Sequence, residues 1–263
     1  MSDLDTALER AAAALADARY AVALVGAGIS VESGIPPFRG AGGLWTKRGE
    51  PPMDGYQRFI ADPAAAWREM LERRQGADEF AHAIRDAAPN PAHFALARLE
   101  ELGVLKHTIT QNIDNLHFVA GSVAVTEIHG NRTKVRCIDC GGRWPFDQAD
   151  LSRMPPICPL CGGVLKSDTV MFGEPIPQAA LAECYEQAER ADCMLIAGTS
   201  ATVVPAAWFP NIVHENGGML VEVNTEPTPY SERALASLRA PAGEALPRLA
   251  DAVAALLARR DTA

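Results

Sequence analysis

Short apolar runs recur along the chain at 21–25 (AVALV), 107–110, 123–128, 194–197 and 219–223. Each has the length of a strand rather than a helix. Helical patterns lie between them, at 92–103, 178–191, roughly 205–216 and 244–259, and an alanine-rich helical stretch at 6–18 precedes the first run. Alternation of this kind predicts an α/β fold, a Rossmann-like parallel sheet with helices on both faces. Two segments interrupt it. Residues 39–90 are rich in proline, glycine and polar residues with helical patches such as PAAAWREMLERR, and residues 132–170 carry four cysteines. The expected organisation is one sheet domain built from 1–38, 91–131 and 171–263. The two excursions, 39–90 and 132–170, pack together as a small helical and metal-ribbon domain.

Length and charge narrow the picture. A chain of 263 residues, 48% hydrophobic and 22% charged, suits one large domain or one domain with an insert. It can bury a sizeable core without disulfides. The charges sum to 24 − 33 = −9, which opposes a general polyanion binder, so direct nucleic-acid binding is not expected. No apolar stretch approaches the length of a membrane span. The acidic, polar start MSDLDTALER is unlike a signal peptide, and the expected location is cytoplasmic.

Four of the six cysteines read Cys137-Ile-Asp-Cys140, then seventeen residues, then Cys158-Pro-Leu-Cys161. Two CxxC knuckles at this spacing indicate a zinc ribbon, each turn offering two thiolates to one tetrahedron. Glycine pairs, 141–142 and 162–163, follow the knuckles and permit the turns. Disulfides fit a cytoplasmic chain poorly. Neither pair sits where a redox CxxC would, at a strand end opening a helix. Four protein thiolates close the site, so its metal is structural. Cys184 and Cys193 are expected to be core thiols.

The first strand runs into GAGISVESGIPPFRG, residues 26–40. A glycine turn before a helix start suits a pyrophosphate, through backbone N–H groups directed outward. The dehydrogenase fingerprint is absent, because Val31 stands where its third glycine or alanine would be and no acidic residue closes a second strand to hold a ribose. Pro36-Pro37 stops the helix, which leaves Phe38 and Arg39 in a loop able to fold over a ligand. Asn112 and Asp114 offer an amide and a carboxylate suited to a carboxamide, or else helix N-caps before LHFVAG. His129 ends an apolar run beside Gly130, where a sheet fold presents catalytic groups, and an imidazole can serve there as general base. The loops 198–200 (GTS) and 224–226 (NTE) also follow strands and suit ribose or phosphate hydroxyls, or simple turns.

Taken in order, GAGISVESGIPPFRG, QNIDNLH (111–117), IHG (128–130), the double CxxC, VMFGE (170–174), GTS and VNTE (223–226) resemble the sirtuin family of NAD-dependent protein deacylases, of the bacterial type, over about residues 20 to 250. The resemblance implies NAD as co-substrate and one structural zinc ion on Cys137, Cys140, Cys158 and Cys161. It implies acylated lysine side chains as substrates. Gly26, Ala27 and Gly28 would cradle the pyrophosphate. Ile29, Ser33, Phe38, Arg39 and Trp45 would border ribose and nicotinamide, and Gln111, Asn112, Ile113 and Asp114 the nicotinamide pocket. Gly198, Thr199, Ser200, Asn224, Thr225, Glu226 and Ala242 would hold the adenosine side. Asn112 and His129 are the expected catalytic residues, with His129 activating a ribose hydroxyl. The products would be free lysine, nicotinamide and 2′-O-acyl-ADP-ribose. The peptide would add as a strand beside Val170, Phe172 and Gly173.

One departure bears on the acyl group. Relatives that prefer succinyl or malonyl lysine carry Tyr-x-x-Arg in the helical insert, and this chain has Met70-Leu-Glu-Arg73 there. Arg73 could pair with a carboxylate-tipped chain, or it could be part of a solvated helix face. Acetyl or another uncharged acyl group is therefore the expected substrate, with desuccinylation or demalonylation through Arg73 as one alternative. Protein ADP-ribosylation on the same scaffold is the other.

Overall fold

The computed structural model describes residues 3–39, 42–76 and 78–261; Gly40, the last residue of the glycine motif, lies outside them. Nine strands follow in chain order: β1 Ala21–Val25, β2 Leu105–Thr110, β3 Val125–Glu127, β4 Lys134–Cys137, β5 Arg143–Pro145, β6 Leu165–Ser167, β7 Cys193–Ala197, β8 Met219–Val223 and β9 Ala236–Leu238. Six make one sheet in the order β3-β2-β1-β7-β8-β9, every neighbouring pair parallel. The chain runs outward from β1 in one direction, then returns to β7 and runs outward in the other. This is the doubly wound arrangement, in which the crevice beyond the carboxyl ends of the two central strands is the usual ligand site.

The two central strands, β1 (AVALV) and β7 (CMLIA), are apolar at odd and even positions alike and are buried on both faces. Ala21, Ala23 and Val25 face a core with the helices Asp3–Asp17, Pro91–Glu101 and Ala242–Asp261. Val22 and Leu24 face a second core with Cys184, Ala188, Phe209 and Val213 from the helices Gln178–Arg190 and Phe209–Glu215. Cys184 and Cys193 are buried thiols in these two cores, as their lack of metal spacing suggests.

Several expected bounds shift for identifiable reasons. β3 is three residues rather than six: the carboxylate of Glu100 accepts the amides of Val123 and Ala124, and the Ala124 carbonyl and Ile128 N–H each keep one bond to β2, with Thr108 at 2.8 Å and Thr110 at 3.0 Å. β2 starts two residues early, pairing Leu105 with Ala21. The helical pattern near 205–216 splits into a 3-10 turn, Ala206–Trp208, and the helix Phe209–Glu215. β9 carries too few apolar residues to stand out in the sequence, and it pairs with β8 through Leu238 and Val223.

β5-β4-β6 form a separate antiparallel sheet that carries the cysteines. One apolar cluster joins it to the helical insert, through Phe59 and Trp67 on one side and Val135, Cys137, Cys158 and Leu165 on the other. The Trp67 indole N–H also donates to the Leu165 carbonyl, at 2.6 Å.

Candidate active site

At the carboxyl ends of β1 and β7 two loops touch. Gly26 N–H donates to the Ala197 carbonyl at 3.2 Å and Gly28 N–H to the Gly198 carbonyl at 2.7 Å. A Cβ on Gly28 would stand 2.7 Å from Gly198 Cα, so only glycine allows the approach. Two of the three loop amides are thus occupied by the neighbouring loop. That leaves the amide of Ala27, between them, for the pyrophosphate that the resemblance implies. The helix that follows is a 3-10 turn, Ala27–Ser33, ended by Gly34 with φ 86°. Asn224 Nδ2 ties the third loop in by donating to the Thr199 carbonyl at 2.8 Å. Gln111 Nε2 donates to Thr199 Oγ1 at 3.0 Å.

His129 lies two residues beyond β3, partly exposed beside this crevice. Its Nδ1 is 3.0 Å from the Gln111 carbonyl, which can only accept, so Nδ1 carries the proton and Nε2 of the neutral ring is bare. Burial lowers the pKa of His129 and the Gln111 hydrogen bond raises it less, so the ring is a neutral base at pH 7. Gly130 and Asn131 fix the turn behind it. The Asn131 amide donates to Asp168 at 2.8 Å, and the His129 carbonyl accepts from Val170 N–H at 2.8 Å.

Asn112 is not a helix cap. Its Nδ2 donates to the Gly26 carbonyl and to Ser30 Oγ, both at 3.1 Å, while Asn115 takes the N-cap position of the helix Leu116–Val119. Ser30 donates in turn to Asp114 Oδ2 at 2.7 Å and lies 3.5 Å from His93 Nε2. The other His93 nitrogen accepts the Asn90 amide in a capping box. Desolvation takes His93 down to about 4, against the pull of Asp114, and His117 down to about 3, with His93 adding repulsion. Both rings are neutral and meet edge to face. Ser30, Asn90 and His93 are members of this cluster that the sequence reading passed over. Ser30 sits inside the glycine motif, and the Asn90-Pro-Ala-His93 spacing is itself a capping signal.

The remaining expected contacts fall into three groups. Phe38, Trp45 and Phe172 form an aromatic chain with centroids 4.9 and 5.6 Å apart. Arg39 lies over Trp45 and pairs with Glu50 at 2.9 Å. This cluster links the glycine loop to the expected peptide segment, where Val170 is half-buried and Gly173 exposed. A second group packs or hydrogen-bonds within the protein. Ile29 is fully buried, Ile113 joins Ile35, Ile84 and Leu116, and Ser33 Oγ accepts from Asn90 at 2.9 Å. Ala242 is buried at the start of the last helix, where the next residue's amide donates to Glu32 at 2.6 Å. In the third group, Ser200, Thr225 and Glu226 are exposed on the loops after β7 and β8.

Met70 and Arg73 diverge from each other. Met70 shares a crevice of about 20 Å³ with Phe59, Ala66, Trp67, Ser167 and Met171, beside the expected peptide segment. Arg73 is exposed and pairs with Glu69 one turn back, on the solvated face of its helix.

The four knuckle cysteines bring their sulfurs within 4.8 Å of one another. Cys137 and Cys161 Sγ are 3.5 Å apart, and Cys140 and Cys158 Sγ 3.7 Å. A tetrahedral zinc with bonds of about 2.3 Å has sulfur–sulfur edges of about 3.8 Å. The set fits such an ion and has no fifth position for a water.

A doubly wound sheet with paired glycine loops at its switch point, and a four-thiolate ribbon alongside, defines a nucleotide-binding α/β class carrying a zinc ribbon. The comparisons with known proteins resolve it further. The Sir2 family model matches residues 26–205. An NAD-dependent protein deacylase of the archaeon Thermococcus kodakarensis is 44% identical over 260 residues, covering 97% of this chain and 98% of its own. Among solved structures, a Sir2 homologue in complex with NAD is 41% identical with a TM-score of 0.78, covering 95% of this chain and 94% of its own. A mutant Sir2 homologue in complex with 2′-O-acetyl-ADP-ribose is 41% identical with a TM-score of 0.76, covering 94% and 96%. This chain belongs to the Sir2 family.

Proposed function

We propose that the protein is an NAD-dependent protein-lysine deacylase that acts on uncharged acyl groups, acetyl first among them. The observation that carries this is the His129 ring, held by Gln111 with Nε2 bare at the edge of the crevice. NAD, when bound, supplies an electrophilic ribose carbon and nicotinamide as leaving group. The chain then has three tasks. Ala27, with the Gly198–Ser200 and Asn224–Glu226 loops, holds the phosphate and adenosine end. Asn112 and the Ser30–Asp114 pair present an amide and a carboxylate at the nicotinamide end, with geometry set by Gly26 and His93. His129 takes a proton from a ribose hydroxyl as general base. The Phe38–Trp45–Phe172 cluster excludes water above them.

Exposure of Arg73 and the apolar Met70 crevice favour acetyl over succinyl or malonyl chains. The zinc ion has no step; it holds the ribbon. The segments 39–90 and 132–170 act as one small domain closing the groove, and reduced metal-ligating thiols fit a cytoplasmic setting. Among the described residues no helix is long and apolar enough to cross a membrane. The test is to incubate the protein with NAD and matched acetyl- and succinyl-lysine peptides and to weigh the products. Acyl-ADP-ribose with faster acetyl turnover is expected. A mass gain on the peptide or protein would favour ADP-ribosyl transfer, and faster succinyl turnover would reverse the acyl assignment.

A further inference from the structure

Lys166 is one of the largest side chains with no exposed surface. An ammonium has three protons to donate, and three acceptors surround this one: the carbonyls of Ser167 at 2.6 Å and Thr169 at 2.8 Å, and Glu174 Oε2 at 3.1 Å. Glu174 Oε2 also accepts Met171 N–H at 2.8 Å, and its Oε1 accepts from Arg136 at 2.6 Å. Residues 167–174 therefore close into a turn around a buried charge pair. On the outside of that turn, Val170 N–H reaches the His129 carbonyl and the Phe172 carbonyl accepts Tyr56 N–H at 2.9 Å. Taking an ammonium out of water is costly, and an apolar side chain of similar volume would fill the space at less cost. What an apolar residue cannot do is donate to two backbone carbonyls of the same turn. A peptide that binds by adding a strand needs a rigid main-chain edge, because its affinity comes from backbone hydrogen bonds.

We infer that Lys166 and Glu174 are positioning residues, an internal latch that fixes the 167–174 turn as the edge on which the acyl-peptide strand lies. This rests on the deacylase reading. Neither residue touches the reacting atoms, so the latch acts on peptide binding and leaves the nucleotide side alone. The test uses the zinc-loaded full chain as wild type, Lys166→Met and Glu174→Gln, with an acetyl-lysine peptide and NAD. In the variants the peptide KM rises about tenfold while kcat and the NAD KM stay within about twofold. An unchanged peptide KM in a folded variant overturns the latch, and so does a fall in kcat with both KM values unchanged. Lys166→Met leaves Glu174 its Arg136 partner. If it nevertheless fails to fold, Glu174→Gln decides the question by hydrogen exchange: the amides of 169–173 exchange about tenfold faster than in wild type, and equal rates overturn the proposal. A wild type inert toward acyl peptides would sink the deacylase reading alone, because the exchange result judges the latch without any turnover.

Discussion

Gly130 has φ 75°, and a Cβ there would meet the Asp168 carbonyl oxygen at 2.0 Å. A single methyl group must therefore displace either the His129 turn or the peptide segment. Gly130→Ala is expected to lower kcat/KM for an acetyl peptide by about 100-fold, since misplacement by about 1 Å can cost that much. Retention of wild-type kcat/KM would mean the turn is not holding the base. The lowered pKa of His129 has a definite sign in kinetics: a base whose protonation is disfavoured keeps its active form to lower pH. The acid limb of kcat/KM should fall below the ordinary histidine value of 6.5, checked by a pH–rate profile. His93 and His117 act on stability instead. Both are buried and neutral when folded and take up protons near pH 6.5 when unfolded, so stability declines as pH falls below 6.5, until the folded values near 4 and 3 are passed. A thermal-melt series from pH 6.5 to 5 should show each contributing a slope on the order of 1 kcal/mol per pH unit. A flat series would contradict their buried, uncharged state.

Among the elements, the central strands were the most legible in the sequence, because AVALV and MLIA are apolar on both faces and only a sheet covered on both sides needs that. The ribbon's metal set was legible from spacing alone, its strands were not. KVRC alternates charge with apolar residues, as a strand does, yet Arg136 turns inward to Glu174 from a distant segment, while Lys134 pairs with nearby Glu127. The Ser30–Asp114–His93 cluster was hidden for the same reason, since its members come from three separate segments. Two predictions belong at this scale. Stripping zinc should melt the ribbon and with it the packing of Trp67, read as a loss of near-UV signal and of the cooperative transition; an unaltered melt would mean the thiolates are not structural. Trp67→Ala should cost about 3–5 kcal/mol, since Trp67 is buried at the seam between helical insert and ribbon. A loss under about 1 kcal/mol in a denaturant melt would mean that the two pieces do not depend on each other.

For the whole molecule, chemistry gathers at one end of the sheet. The glycine loop, the GTS loop, Gln111, Asn112 and His129 all follow strand carboxyl ends, and the ribbon and helical insert close over the same side through Val170 and Phe172. A groove of about 520 Å³ lined by Phe94, Arg98, Glu101 and Val123 lies by the amino ends of β2 and β3 and has no part in this arrangement. The central claim is that the imidazole works on the ribose after nicotinamide has left. The most direct measurement compares two activities in His129→Ala: exchange of labelled nicotinamide into NAD in the presence of acetyl peptide, and formation of acetyl-ADP-ribose. Exchange should persist while acetyl-ADP-ribose formation falls by at least about 100-fold, the scale expected of a lost general base. Acetyl-ADP-ribose formation at the wild-type rate, or loss of both activities together in a folded variant, would contradict the central claim.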